Sequence, residues 1–163
     1  MKVLITKEYL NDLFIYKEGK LFWKRSPARR IKVGTEACSL SGNGYLRVAI
    51  KQIHYPLHRI IFMMHHGYLP KYVDHIDGNP LNNCIDNLRE ATQTQNLYNA
   101  KKRKDNSSGL KGISWVKRLN KWLVQLSINK KNTYLGVYED LELAELVAQE
   151  ARILYHGRFA RTL

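Results

Sequence analysis

Asp74 and His75 are adjacent, and Asn96 follows them further along the chain. An imidazole that titrates near neutrality can take a proton from water. A carboxylate and a neutral amide are hard oxygen donors. Two such protein ligands would leave the rest of a cation's shell to phosphate oxygens and waters, as Mg2+ prefers. These groups together could hydrolyse a phosphodiester, which needs a base for the water and positive charge near the phosphorane and leaving oxygen. The same residue types also make ordinary polar hairpins, so their placement decides between the two.

The segment that must place them reads VDHIDGNPLNNCIDNLREATQTQNLYN, residues 73–99. Tyr72–His75 can begin a strand, Asp77-Gly78-Asn79-Pro80 forces a turn, and Asn82-Asn83 lengthens the loop. Leu88–Ala91 can return as a second strand. Thr92 then starts a helix, and Gln95 completes a Thr-x-x-Gln capping box. Asp74 and His75 fall on the first strand and Asn96 early in the helix. Neighbours on an ideal strand point to opposite faces, so the two serve one phosphate only if the strand end twists or bulges.

Upstream, Leu57, Ile60, Ile61 and Met64 follow helical spacing, and Gly67 is a natural C-cap. This helix carries His58, His65 and His66. The last two are adjacent and cannot share a face, so the trio is not read as a metal site. His58-Arg59 is read as a packing or phosphate-contacting pair. Residues 1–56 read as mainly β, with a short helix after Thr6. Phe14–Tyr16 and Leu21–Trp23 flank a Glu18-Gly19 turn, and Tyr45–Ile50 alternates as a strand. Lys24, Arg25, Arg29 and Arg30 lie between these runs, either on a solvated loop or against phosphates.

A basic run, Lys101, Lys102, Arg103 and Lys104, leads into a polar stretch ending at Gly109, which reads as a linker over 101–108. Beyond it Gly112–Val116, Lys121–Ile128 and Thr133–Tyr138 read as strands, with turns at Asn120 and at Asn129-Lys130-Lys131-Asn132. A helix follows, N-capped by Asp140 and ended by Gly157. Its apolar face is read as Leu143, Ala144, Val147, Ala148, Ala151 and Leu154.

Charge narrows the partners. Lys and Arg number 27 against 14 Asp and Glu in 163 residues, a net charge of +13, and the apolar content of 44% supports a real core. A polyanion is the expected partner, since each neutralised phosphate releases counterions. Cys38 and Cys84 stand alone with no CxxC, which gives a structural zinc site no support. No signal-like start or membrane-length apolar run occurs, so a soluble, cytoplasmic protein is expected.

Residues 45–100 resemble the HNH endonuclease family, especially its phage and intron-encoded homing members. The resemblance rests on His58-Arg59, Asp74-His75, Asp77-Gly78-Asn79, Asn82-Asn83, Asn87-Leu88-Arg89, Asn96 and Asn99. It implies His75 as general base, Asp74 and Asn96 as ligands of Mg2+ (or Mn2+), and Asn87 as the residue that fixes the loop holding His75. Asn79 and Asn83 are expected to hold the loop together. The third name-giving position, often His, is Asn96 here. An amide suits hard ions and argues against a tightly held zinc.

Residues 107–160 resemble the Apetala2/ethylene-response DNA-binding domain, on Gly109-Leu110-Lys111-Gly112-Ile113, Lys121-Trp122, Tyr134-Leu135-Gly136-Val137-Tyr138 and Ala144, Ala148 and Ala151. That resemblance implies a three-stranded sheet in the major groove, with Lys111, Ser114, Lys117, Arg118, Gln125, Ser127, Asn132 and Tyr134 facing it, and Trp122 and Leu135 packing inward. The expected fold is α+β: a β-rich region over 1–56, a ββα-metal nuclease core over 57–100, the linker, and a sheet-plus-helix domain over 109–163. The expected function is a homing-type DNA endonuclease on double-stranded DNA. A monomer would nick one strand, and a dimer or a second visit would be needed to cut both. The alternatives are a non-catalytic DNA-binding regulator with a decayed nuclease core, and an RNase or nonspecific nuclease, for which a reading domain is superfluous.

Overall fold

The computed structural model describes residues 5–100, 106 and 108–161. Their architecture is α+β and divides into two units, Met1–Ala91 and Thr92–Leu163.

In the first unit, α1 (Lys7–Leu13) is capped by Thr6, whose hydroxyl accepts from the Tyr9 amide. It runs into the hairpin of β1 (Phe14–Lys17) and β2 (Lys20–Trp23). The hairpin turn places Glu18 and Gly19 at φ 48° and 79°, the left-handed pair that matches strand twist in a two-residue loop. A three-stranded antiparallel sheet follows, in the order β3 (Cys38–Leu40), β4 (Leu46–Ile50), β5 (Ile53–Pro56). Lys51 and Gln52 make its tight turn at positive φ without glycine. Neither residue is a usual left-handed type, which hid β5 from sequence reading.

Helix α2 (Leu57–His66) has the expected buried face, and Gly67 ends it at φ 78° with its amide donating to Met63 O. β6 (Tyr72–His75) and β7 (Leu88–Ala91) pair antiparallel around the Asn-rich loop. One hydrophobic core joins Leu10, Phe14, Leu21, Trp23, Val48, Leu57, Ile61, Val73 and Leu88. Residues 5–56 therefore form the front of the same core as β6 and β7, not a separate body.

In the second unit, α3 (Gln93–Asn99) opens with the reciprocal capping box of Thr92 and Gln95. Strands β8 (Ile113–Val116), β9 (Lys121–Ile128) and β10 (Lys131–Tyr138) form an antiparallel sheet with β9 central. The β9–β10 turn is only Asn129 and Lys130, both at positive φ, so β10 begins at Lys131, earlier than alternation suggested. Helix α4 (Leu141–His156), N-capped by Asp140, packs on the sheet through Ala144, Ala148 and Ala151. Its phase departs from the sequence reading. Leu143 and Leu154 are exposed, at 48% and 74%, while Arg152 and His156 are buried. The alanines let the helix lie close to the sheet. The two polar residues turn inward because carbonyls await them: Arg152 Nη1 donates to Lys111 O at 2.7 Å, and His156 Nε2 lies 2.9 Å from Ser127 O.

Among the described residues, no helix is long and apolar enough to cross a membrane.

Candidate functional site

Asp74 and His75 end β6 and are buried, at 5% and 6% exposure. The strand stops because the loop takes over its hydrogen bonds: Ile76 N donates to Asn87 O and Gly78 N to His75 O, each at 2.8 Å. Asn87 is the hub of that loop. Its Nδ2 donates to Asp77 Oδ1 at 2.9 Å and to Asn82 O at 2.8 Å, and its Oδ1 accepts from the Asp77 amide at 3.0 Å. Asp77 also accepts from the Asn79 amide and from Asn82 Nδ2. Burial opposes ionisation of its carboxyl, but these hydrogen bonds and the nearby His75 hold it below the usual range.

His75 meets three side chains whose connection to it the sequence did not reveal. Asn83, fully buried, places Oδ1 3.1 Å from His75 Nε2. The His58 ring is edge-on at 5.0 Å between centroids, and Tyr45 lies 6.1 Å away. His58 Nδ1 is buried without a hydrogen-bond partner. Burial first, then the charges of His75 and Arg59, push the His58 imidazole down to about 3, so it stays neutral through the working range. Its tie to His75 had one sequence signal: it lies on the inward face, beside Leu57 and Ile61. His65 and His66 turn elsewhere, His65 onto Tyr16 and His66 onto Phe62.

Asp74 is held by Arg89, directly opposite it on β7. Arg89 Nε and Nη2 lie 2.9 and 2.8 Å from Asp74 Oδ2. A cation at that oxygen would compete with a buried guanidinium. Among the described residues, no group of three or more His, Cys, Asp or Glu side chains could hold a metal ion. Asp74 belongs to the first unit and Asn96, in α3, to the second.

The second unit carries the other predicted residues. Pairing sets Ser114 opposite Leu123, Tyr134 opposite Gln125 and Asn132 opposite Ser127. Strand alternation then puts Ser114, Gln125, Ser127, Asn132 and Tyr134 on the open face, away from Val124 and Leu126, and all five are exposed. Lys117 and Arg118 are exposed in the β8–β9 turn. Lys111 departs from its groove-facing expectation. Its Nζ donates to Tyr98 O at 2.8 Å and Ala100 O at 2.5 Å, the end of α3. Helix-terminal carbonyls attract a cation, and partial burial, with Arg152 and Arg161 nearby, lowers its ammonium to about 8. Lys101, Lys102, Arg103 and Lys104 lie outside the described residues.

Residues 55–98 match the HNH endonuclease family, over the span that contains α2, the β6–β7 pair and all but the last residue of α3. A second similarity runs wider: 97 residues are 43% identical to protein 3.8 of Escherichia phage T7, covering 58% of this chain and 79% of that protein. The chain carries an HNH-family endonuclease domain. It is also 48% identical over 67 residues to an uncharacterized HNH endonuclease, L560, of Acanthamoeba polyphaga mimivirus, covering 39% of this chain and 34% of that one. No solved structure matches. The HNH match ends at residue 98, so the sheet and α4 are characterised by their fold.

Proposed function

We propose that this HNH protein binds duplex DNA through its C-terminal sheet and hydrolyses a phosphodiester with His75 as general base. The observation that carries the reading is the setting of His75: a buried imidazole held at Nε2, at the end of β6, inside the segment that matches HNH endonucleases. The net charge of +13 supports a DNA partner. So does the polar open face of the sheet, since a β-ribbon can read base edges in the major groove. A monomer with one such centre would nick one strand per encounter.

A second reading has its own observation. Arg89 holds one carboxylate oxygen of Asp74, and the described residues gather no group of three or more His, Cys, Asp or Glu side chains that could hold a metal ion. Both favour a DNA-binding protein on a nuclease fold that no longer cleaves. On the metal question this second reading is the better supported. The family resemblance asks for Mg2+ or Mn2+ at Asp74 and Asn96.

Supercoiled plasmid incubated with Mg2+, with Mn2+ or with EDTA, alongside a gel shift, separates the two. Nicking by the wild type that is lost in His75→Ala and in EDTA supports the enzyme. A gel shift with no nicking supports the binding protein. Neither nicking nor a shift would reject both.

A further inference from the structure

Asn83 is fully buried, and its amide cannot turn over. Its Nδ2 donates to Leu81 O at 3.1 Å and faces Pro80 O at 3.5 Å. Reversing the amide would set Oδ1 against two carbonyl oxygens and leave buried polar groups unpaired. The backbone therefore fixes which atom faces the ring, and that atom is Oδ1, 3.1 Å from His75 Nε2. An amide oxygen only accepts, so Nε2 must carry the proton, and in the neutral ring the basic lone pair is then on Nδ1.

The loop bearing Asn83 is braced from the N-terminal hairpin. A Cβ at Gly19 would meet Cys84 N at 2.7 Å and Asn83 C at 2.8 Å, so the hairpin turn lies directly against this backbone. Tyr16 Oη accepts from the Ile85 amide at 3.0 Å. On the other flank, Asn87 holds Asn82 O.

We propose that Asn83, braced by the β1–β2 hairpin, is the positioning residue of His75: it holds the proton on Nε2, which leaves the basic lone pair of the neutral ring on Nδ1. The catalytic meaning of this assignment rests on the hydrolysis reading above, but its test does not. The full chain, labelled with 15N at histidine, is studied by two-bond ring spectra in alkaline buffer, without DNA or added cation. An unconstrained imidazole also favours the Nε2–H form, so the diagnostic quantity is protection of that proton from exchange. The wild type is expected to show His75 as a single Nε2–H tautomer. Its ring proton should exchange about tenfold or more slowly than in Asn83→Leu, the loss of one buried hydrogen bond. Asn83→Ala, which removes the acceptor without adding bulk or charge, serves as the comparison if the leucine variant does not fold.

A proton on Nδ1 in the wild type overturns the proposal, as does equal protection in Asn83→Leu or Asn83→Ala. If the wild type nicks DNA, Asn83→Leu should lose turnover at least about tenfold, within what a general base contributes, with duplex affinity unchanged. A wild type that never nicks sinks the hydrolysis reading and leaves the ring measurement standing.

Discussion

Arg89 closes on Asp74 across the β6–β7 pair, both of its contacting nitrogens reaching the same carboxylate oxygen at 2.8 and 2.9 Å. The two side chains are only 11% and 6% exposed. Removing one member of such a pair strands the other charge in a poorly solvated site. Arg89→Met is therefore expected to destabilise the first unit by about 3 kcal/mol, whereas Arg89→Met with Asp74→Leu recovers most of the loss. Urea unfolding of the two variants measures this. A single-variant loss within about 0.5 kcal/mol, typical of an exposed pair, would show that the bridge is not buried in solution.

His58 predicts how stability responds to acid. Its environment is His75, Tyr45 and Arg59, and its imidazole falls from 6.5 to about 3 in the fold. The unfolded chain binds this proton in that window and the folded chain does not. The stability due to neutral His58 is thus fully present above 6.5 and drains away as pH falls toward 3, with a slope approaching about 1.4 kcal/mol per pH unit. In His58→Phe the acid limb of a stability–pH curve should flatten by one proton. An unchanged limb would mean that His58 is solvated.

Gly19 presses against the loop that carries Asn83. Its φ is 79°, and an added Cβ would overlap backbone atoms of Asn83 and Cys84 that have no side-chain freedom to yield. Gly19→Ala should cost about 2 kcal/mol or more, beyond the usual glycine-to-alanine effect at a positive φ. It should also shift the ring resonances of His75. Thermal unfolding with near-wild-type stability would contradict the contact.

Lys111 and Arg118 separate packing from DNA contact. The Lys111 ammonium caps α3, whereas Arg118 is exposed in a turn of the sheet. On nonspecific duplex, Arg118→Ala and Lys117→Ala should each flatten the salt slope by about one unit. Lys111→Met should leave the slope unchanged and lower the stability of the second unit by about 1 kcal/mol. The reverse pattern would return Lys111 to the interface.

The local rules were readable without a structure. The Glu18-Gly19 turn, the α2 apolar face and its Gly67 cap, the Thr92–Gln95 box and the Asp140 cap are short-range features. Each is set by residues within a turn or two of one another, and each stands where spacing put it. The Asp74-His75 strand end and the Asn-rich loop were legible for the same reason. The β5 strand and the early start of β10 were not, because Lys51, Gln52 and Lys130 take left-handed conformations that their residue types do not announce.

What the chain order by itself determined is therefore the set of elements and which residues each one carries. Only the tertiary structure decided which residues meet. Asn83 and His58 reach His75, Arg89 reaches Asp74, and Lys111 turns from the sheet face to the end of α3. These contacts join separate elements, and a buried polar group is satisfied by whichever partner packing brings within about 3 Å. Residue spacing along one element carries no record of that choice.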